Sequence, residues 1–313
     1  MNNIILYALT VLIWGSTWYV ITFQLGSVDP LVSIAYRFGM AAIVMLGVLA
    51  VMGKLKPRNY TRKQHMFLAL QGLFLFCVNY WLFYIGTAYL TSGLVAVIFS
   101  TMTLMNIVNQ ALLFGIKIKK QVVLGSFIGL SGIIAVFWPE IAHMNGNDGV
   151  ITGIVYCLVA SYLASLGNMA ALRNSRDDIP VIESNSYGMA YGKVFCFAII
   201  FVSGIPITFD TRFNFIWSLV YLALLGSVIA FACYLTLLKN IGADKAAYAS
   251  VMFPIVALII STIFEGYVWT PEALLGMGLV VIGNAVAMAN REAVLHWRPR
   301  RAKIVCGDKS DET

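Results

Sequence analysis

The sequence predicts an all-α membrane protein, with ten transmembrane helices arranged as two inverted five-helix repeats. Three observations carry that expectation. Apolar residues make up 60% of the 313 positions and charged residues only 11%, with a mean hydropathy of +0.84. A soluble domain carries about 25% charged residues, so there is too little polar surface here to cover a water-soluble globule. Apolar runs of about 20 residues, the length that crosses a hydrocarbon core, recur along the whole chain. Finally, Gly242 to Gly283 repeats Thr91 to Gly132 at an offset of 151 positions, so that Gly266, Gly276 and Gly283 fall on Gly115, Gly125 and Gly132. In both copies an apolar run, a short polar break and a second apolar run follow one another, which marks an internal duplication.

Taken in order, the first span is expected over residues 4–23. No basic residue precedes it and no small-residue cleavage site follows, so it reads as a spanning helix and not as a signal peptide. Spans 2 to 5 follow over 31–52, 66–87, 91–113 and 121–138, and spans 6 to 10 over 149–171, 181–203, 213–237, 242–263 and 272–290. A helix is the only open-ended element that satisfies its own backbone in lipid. The first repeat is expected over 1–140 and the second over 149–290, joined by a short break, with a polar tail over 291–313.

The basic residues test this count. Lys54, Lys56, Arg58, Arg62 and Lys63 follow span 2; Lys117, Lys119 and Lys120 follow span 4; Arg173 and Arg176 follow span 6; Lys239 and Lys245 flank the break after span 8. Arg291, Arg298, Arg300, Arg301, Lys303 and Lys309 belong to the tail, so 18 of the 21 basic residues fall on one side. Asp29, Glu140, Asp148, Asp210, Glu265 and Glu272 fall on the other, with Arg212 the one basic residue among them. The positive-inside rule then puts both termini in the cytoplasm. Five spans per half is an odd number, so the halves must cross in opposite senses. The tail, with Trp297 among its arginines, reads as an interfacial anchor on anionic lipid and not as a nucleic-acid site, because topology already accounts for the charge. Cys77, Cys157, Cys196 and Cys233 sit in apolar runs without metal-ligand spacing, and read as small core thiols.

Polar groups inside the spans are the candidates for function. Lys193 lies about thirteen residues into span 7, where an ammonium is costly unless it faces water or a partner. Glu183, on the same span, is too far along the helix to pair with it and reads as a carboxylate at the cytoplasmic mouth, a candidate for coupling or gating. Arg37, some seven residues into span 2, could hold a carboxylate bidentately or snorkel to the headgroups. Tyr187 and Tyr191 share a helical face with Glu183, and Trp14 and Trp18 have the same four-residue spacing in span 1. Asn79, Tyr80, Trp81 and Tyr84 combine amide and ring groups in span 3, as a pocket for an amphipathic solute would. Asn106, Asn109, Gln110 and Asn168 either bond across helices or line a cavity. Ser184, Gly188 and Gly192, and likewise Gly125 and Gly129, form small-residue ladders for close packing, and Pro254 in span 9 is a candidate hinge or static kink.

Trp14-Gly15-Ser16 in span 1, Tyr36-Arg37-Phe38 with Ala41-Ala42 in span 2, and the endings with Pro254, Glu265-Gly266, Gly276 and Gly283 resemble the drug/metabolite transporter superfamily, in particular its ten-helix EamA-type exporters. The resemblance runs to about residue 290. It implies a bundle in which helices 1–4 and 6–9 surround a cavity and helices 5 and 10 pack to one side. It also implies outward movement of amino acids, other small metabolites or amphipathic drugs across the inner membrane. One departure is that Thr103 and Phe114 stand where the second half has Pro254 and Glu265. Partners are then a small solute and the lipid bilayer, with proton coupling through Glu183 or Lys193 a further option. No cofactor and no metal are expected. No Walker sequence, HExxH or GxSxG is present, and His65, His143 and His296 lie at span ends or in loops, which speaks against ATP-driven transport and against an embedded enzyme.

Overall fold

The structure is a computed structural model that describes residues 2–54, 60–118, 120–142, 149–242, 246 and 249–288. The junction at 143–148, the basic stretch 55–59 and the tail 291–313 with Trp297 lie outside the described residues. All regular structure among those residues is helical. The helices are α1 (Asn3–Thr22), α2 (Pro30–Val51), α3 (Arg62–Thr87), α4 (Ser92–Phe114), α5 (Lys120–Ala142), α6 (Val150–Arg176), α7 (Val181–Val202), α8 (Phe213–Ile241), α9 (Ala249–Phe264) and α10 (Pro271–Met288). The first eight are long and apolar enough to cross a membrane, and α9 and α10 are shorter apolar helices.

Local chemistry explains the boundaries. Asn2 caps α1 and Asp29 caps α2, each side chain accepting from a first-turn N–H, and Pro30 takes the position where no donor is needed. Thr61 and Gln64 form a capping box, which starts α3 at Arg62, four residues before the apolar run. α6 reaches Arg176 and α8 reaches Ile241, also beyond their apolar runs, because a helix continues past the hydrocarbon wherever nothing breaks it. Gly53 and Gly204, 151 positions apart, both have φ of 65° and let α2 and α7 end alike. Lys54 N–H bonds the Leu49 carbonyl at 2.9 Å and Ile205 N–H the Ile200 carbonyl at 3.0 Å, the six-to-one bond of a Schellman end.

Three of the helices are not α-helical throughout. α3 carries a π segment at Phe74–Val78 and α8 one at Tyr221–Ile229. The 151-position offset carries the first into the second. α4 departs from helical bonding at Ser100 and Thr101, whose hydroxyls bond back to the Val97 and Ile98 carbonyls at 2.6 Å.

α5 packs most extensively on α10, through the glycines that mark the repeat. A Cβ on Gly132 would lie 2.6 Å from the Gly276 carbonyl oxygen, and one on Gly125 2.5 Å from that of Gly283. These backbones touch, as the ladder through Gly125 predicts. Gly129 takes part as backbone: a Cβ there would have nothing nearer than 3.9 Å, whereas one on Gly283 would lie 2.3 Å from the Gly129 nitrogen. Among the remaining helices α2 packs on α7, α3 on α6 and α7, α1 on α8 and α9, and α4 on α6 and α9, and the main core also takes in Val136 of α5 and Val280 of α10. Large apolar side chains such as Val51, Leu112, Phe127 and Phe201 stay exposed on the outside, which suits contact with acyl chains.

Candidate functional site

Arg37 is the polar centre of the bundle. Its side chain is 2% exposed, although it stands only seven residues into α2. The guanidinium carbon lies 4.7 Å above the Tyr80 ring and 5.1 Å from the ring of Phe38, so cation–π attraction replaces part of its hydration. Its Nε donates to the Ser227 hydroxyl at 3.4 Å, and its Nη1 is buried without a partner. No carboxylate among the described residues reaches it. Tyr84, fully buried, turns its hydroxyl to the guanidinium closely enough to interact with it, although neither that hydroxyl nor Nη1 makes a well-formed hydrogen bond. A cation with no described carboxylate beside it therefore faces a phenol and the rings.

The π segment of α8 builds the opposite wall. Its wider turn displaces carbonyls from the usual ladder. Trp14 Nε1 donates to the Gly226 carbonyl at 3.0 Å, the Ser227 hydroxyl donates to the Leu222 carbonyl at 2.9 Å, and Ser16 and Tyr221 share a hydrogen bond of 2.7 Å. Gly226 is closely packed on this side: a Cβ there would meet Thr17 Cγ2 at 3.0 Å, tighter than ordinary contact, and Arg37 Nη2 at 3.7 Å. Helices α1, α2, α3 and α8 thus converge on the guanidinium.

The other candidates are distributed. Trp14 stacks edge-on against Phe231 and Phe253, whereas Trp18 is buried between Phe83 and Phe99, so their spacing does not give one shared pocket. Asn79 is buried with an unpartnered Oδ1, and Trp81 is half-buried against the core. Lys193 lies against α2 on another face, its Nζ beside Gly39 and 5.8 Å from the Phe197 ring. Gly39 is about 200° around the helix from Arg37, so the two cations are held apart. Asn168 donates to Asn106 at 3.4 Å and Asn109 to Ser165 at 2.9 Å, bonds that tie α4 to α6. Pro254 is buried within α9.

A second polar assembly joins the start of α7 to α3. Tyr60 donates to the Glu183 carboxylate, Tyr191 and the His65 Nδ1 are 2.9 Å apart, and Tyr187 packs edge-on against both Tyr60 and His65. Partial burial and the adjacent carboxylate push the Tyr60 hydroxyl well above the ordinary tyrosine range. Behind it, Gln71 donates to Asn185 at 2.8 Å and accepts from Ser184 at 2.6 Å and Asn174 at 2.9 Å. Two of these four, Ser184 and Asn185, line a cavity of about 200 Å³ together with Ser175 and Ile179. Sequence reasoning found Glu183, Tyr187 and Tyr191 but missed Tyr60, Gln71, Asn174, Asn185 and Ser227. Single polar residues have no periodicity to betray them. The Gly226-Ser227 pair inside an apolar run was the one available signal.

Comparison with known proteins gives the geometry a family. The EamA-like transporter family matches residues 1–138 and again 151–289. The chain is similar to the Uncharacterized inner membrane transporter YedA of Escherichia coli (strain K12), with 30% identity over 279 residues, spanning 88% of this chain and 87% of that one. It is also similar to Protein PagO of Salmonella typhimurium (strain LT2), with 22% identity over 301 residues and 95% and 96% coverage. A crystal structure superposes with a TM-score of 0.64 at 15% identity, over 91% of this chain and 96% of that one, a likeness of fold alone. With both halves matched and the helical bundle shared, this chain belongs to the EamA-like transporter family and is a membrane transporter of that type.

Proposed function

We propose that this protein is a secondary transporter that moves a small organic solute, an amino acid or a related amphipathic molecule, outward by alternating access. The observation that carries this reading is the Arg37 guanidinium, buried among rings with an unpartnered Nη1 and no described carboxylate in reach. A charge left uncompensated inside a membrane protein is costly, and a solute carboxylate would relieve that cost. The rings around it, Phe38, Tyr80 and Tyr84, suit the apolar part of such a solute.

In this reading all ten helices cross the membrane, residues 1–140 and 149–290 form two five-helix repeats of opposite sense, and both termini are cytoplasmic. The side-by-side matches to one family, the 151-position spacing of Gly53 with Gly204 and of the two π segments, and the one-sided basic residues support it. So does the helix pairing: raising each helix number by five in the first repeat and lowering it by five in the second turns α1–α8 into α6–α3 and α1–α9 into α6–α4, pairs that are also in contact.

Flux of labelled amino acids and amphipathic amines through proteoliposomes tests the proposal, with and without a pH gradient to separate coupled from facilitated movement. Arg37→Lys keeps a cation but loses the planar fork, so a roughly tenfold or greater fall in kcat/KM for carboxylate-bearing solutes is expected. Absence of flux for every solute would remove the transport reading, and parent-like kinetics in Arg37→Lys would remove Arg37 from the binding site.

A further inference from the structure

The start of α4 has two possible caps, and only one is in use. Thr91 occupies the N-cap position with extended backbone, φ −61° and ψ 149°, the geometry from which a threonine hydroxyl ordinarily accepts a first-turn N–H. It makes no such bond, and its Oγ1 is buried without a partner. The carboxylate of Glu265, just past the end of α9, binds the same helix start at another donor, the N–H of the first helical residue. Its Oε2 accepts from the Ser92 N–H at 3.1 Å and from the Ser92 hydroxyl at 2.5 Å. A carboxylate is the better cap in this place, because it also meets the positive end of the helix dipole.

The seam beneath this contact is closed. A Cβ on Gly93 would lie 2.7 Å from Leu258 Cδ2 and 2.9 Å from Ser261 Cβ, so α4 and α9 touch along a glycine. Ser261, one turn before Glu265, is fully buried in that seam with an unpartnered hydroxyl. α4 belongs to one half of the chain and α9 to the other. If the halves rock as proposed above, this is one of the contacts that must part, and the inference rests on that reading.

We propose that Glu265 latches the α4–α9 seam shut: its carboxylate holds the Ser92 N–H and hydroxyl across the two halves while the seam is closed, and must release both when the seam opens. The first half has Phe114 at the position equivalent to Glu265, a residue with no carboxylate to offer.

Ser261→Cys supplies the reporter, because the hydroxyl it replaces bonds to nothing. Its reaction with a water-soluble methanethiosulfonate is followed in protein reconstituted in nanodiscs, where the reagent reaches both faces. Labelling of the protein without this change is subtracted. Added to Ser261→Cys, Glu265→Ala is expected to raise the reaction rate about tenfold or more, and Glu265→Gln, which retains an acceptor, to raise it less. Thr91→Val leaves both bonds from Ser92 to Glu265 in place and is expected to keep the parent rate. Only protein that elutes as a single species is scored, and Glu265→Gln replaces the alanine variant if the latter does not fold.

Unchanged rates in the Glu265 variants overturn the latch, and so does a Thr91→Val rate as high as that of Glu265→Ala, which would show that opening does not depend on the carboxylate. The measurement needs no solute, so it is separable from the functional reading. Flux that persists with unchanged labelling counts against the latch alone, whereas altered labelling without flux of any solute counts against transport alone.

Discussion

Gly283→Ala tests whether the contact of α5 with α10 is as close as it looks. The new methyl would lie 2.3 Å from the Gly129 nitrogen and 2.6 Å from both the Gly125 carbonyl oxygen and the Gly129 Cα. Each of these is a backbone atom, so no rotamer change relieves the clash, and the helices must separate by about 1 Å to restore ordinary contact distances. That separation also loosens the matching contact at Gly132 and Gly276, where a Cβ meets the opposite carbonyl at 2.5–2.6 Å. Overpacking costs about 1–3 kcal/mol, and a seam that can only retreat as a unit belongs at the upper end. At roughly 2 °C per kcal/mol for a chain of this size, the midpoint of thermal unfolding in detergent should fall by about 6 °C. Gly129→Ala is the matched control on the same ladder. Its nearest neighbours would be 3.9 and 4.0 Å away, so it should leave the midpoint unchanged or raise it slightly through the better helix propensity of alanine. A parent-like midpoint for Gly283→Ala, or an equal loss in both variants, would refute the close approach.

Other outcomes follow from the site. Trp14→Phe removes the only described side-chain donor to the Gly226 carbonyl and should cost about 1–3 kcal/mol, read as a midpoint lowered by several degrees; no change would mean that the carbonyl is satisfied otherwise. Tyr60→Phe and Glu183→Gln act on one hydrogen bond, so their effects on flux should not add, and additive losses in the double variant would show that the pair does not act as a unit. Hydrogen bonds from the Arg212 guanidinium and backbone, and then from Ser27, hold the Asp210 carboxyl well below the usual carboxylate range. A depressed folded pKa gives stabilisation that is present above the ordinary value of about 3.9 and is lost only as pH falls through the depressed one. Limited proteolysis of the 203–212 loop should therefore be unchanged from pH 7 to about 4, and earlier cleavage would contradict the tether.

Most helix locations were legible because burial in hydrocarbon imposes a length and a composition, and α2, α4 and α7 begin within one residue of the expected spans. Helix ends were less legible, since they depend on caps and not on hydropathy. Thr61 and Gln64 start α3 inside a polar stretch, and nothing apolar marks Ile241 as the end of α8. The glycines of the repeat were visible as spacing. That Gly132 touches Gly276 and Gly125 touches Gly283, in crossed order, was not, because the order follows from the antiparallel run of the two helices. Within the site, Arg37 and Trp14 stood out by residue type alone. Their partners Ser227 and Gly226 did not, since the π segment that presents them lies in an unbroken apolar run.

The sequence by itself determined that this chain is a helical membrane protein, where its helices run and which glycines could let them touch, because these depend on composition and on short periodicities. Tertiary structure decided which polar groups meet. It set Arg37 among rings with no described counter-charge, held Lys193 of α7 against another face of α2, and brought Glu265 of α9 to the start of α4. The reason is that hydropathy acts along the chain, while a hydrogen bond between residues 173 positions apart exists only after the helices have packed.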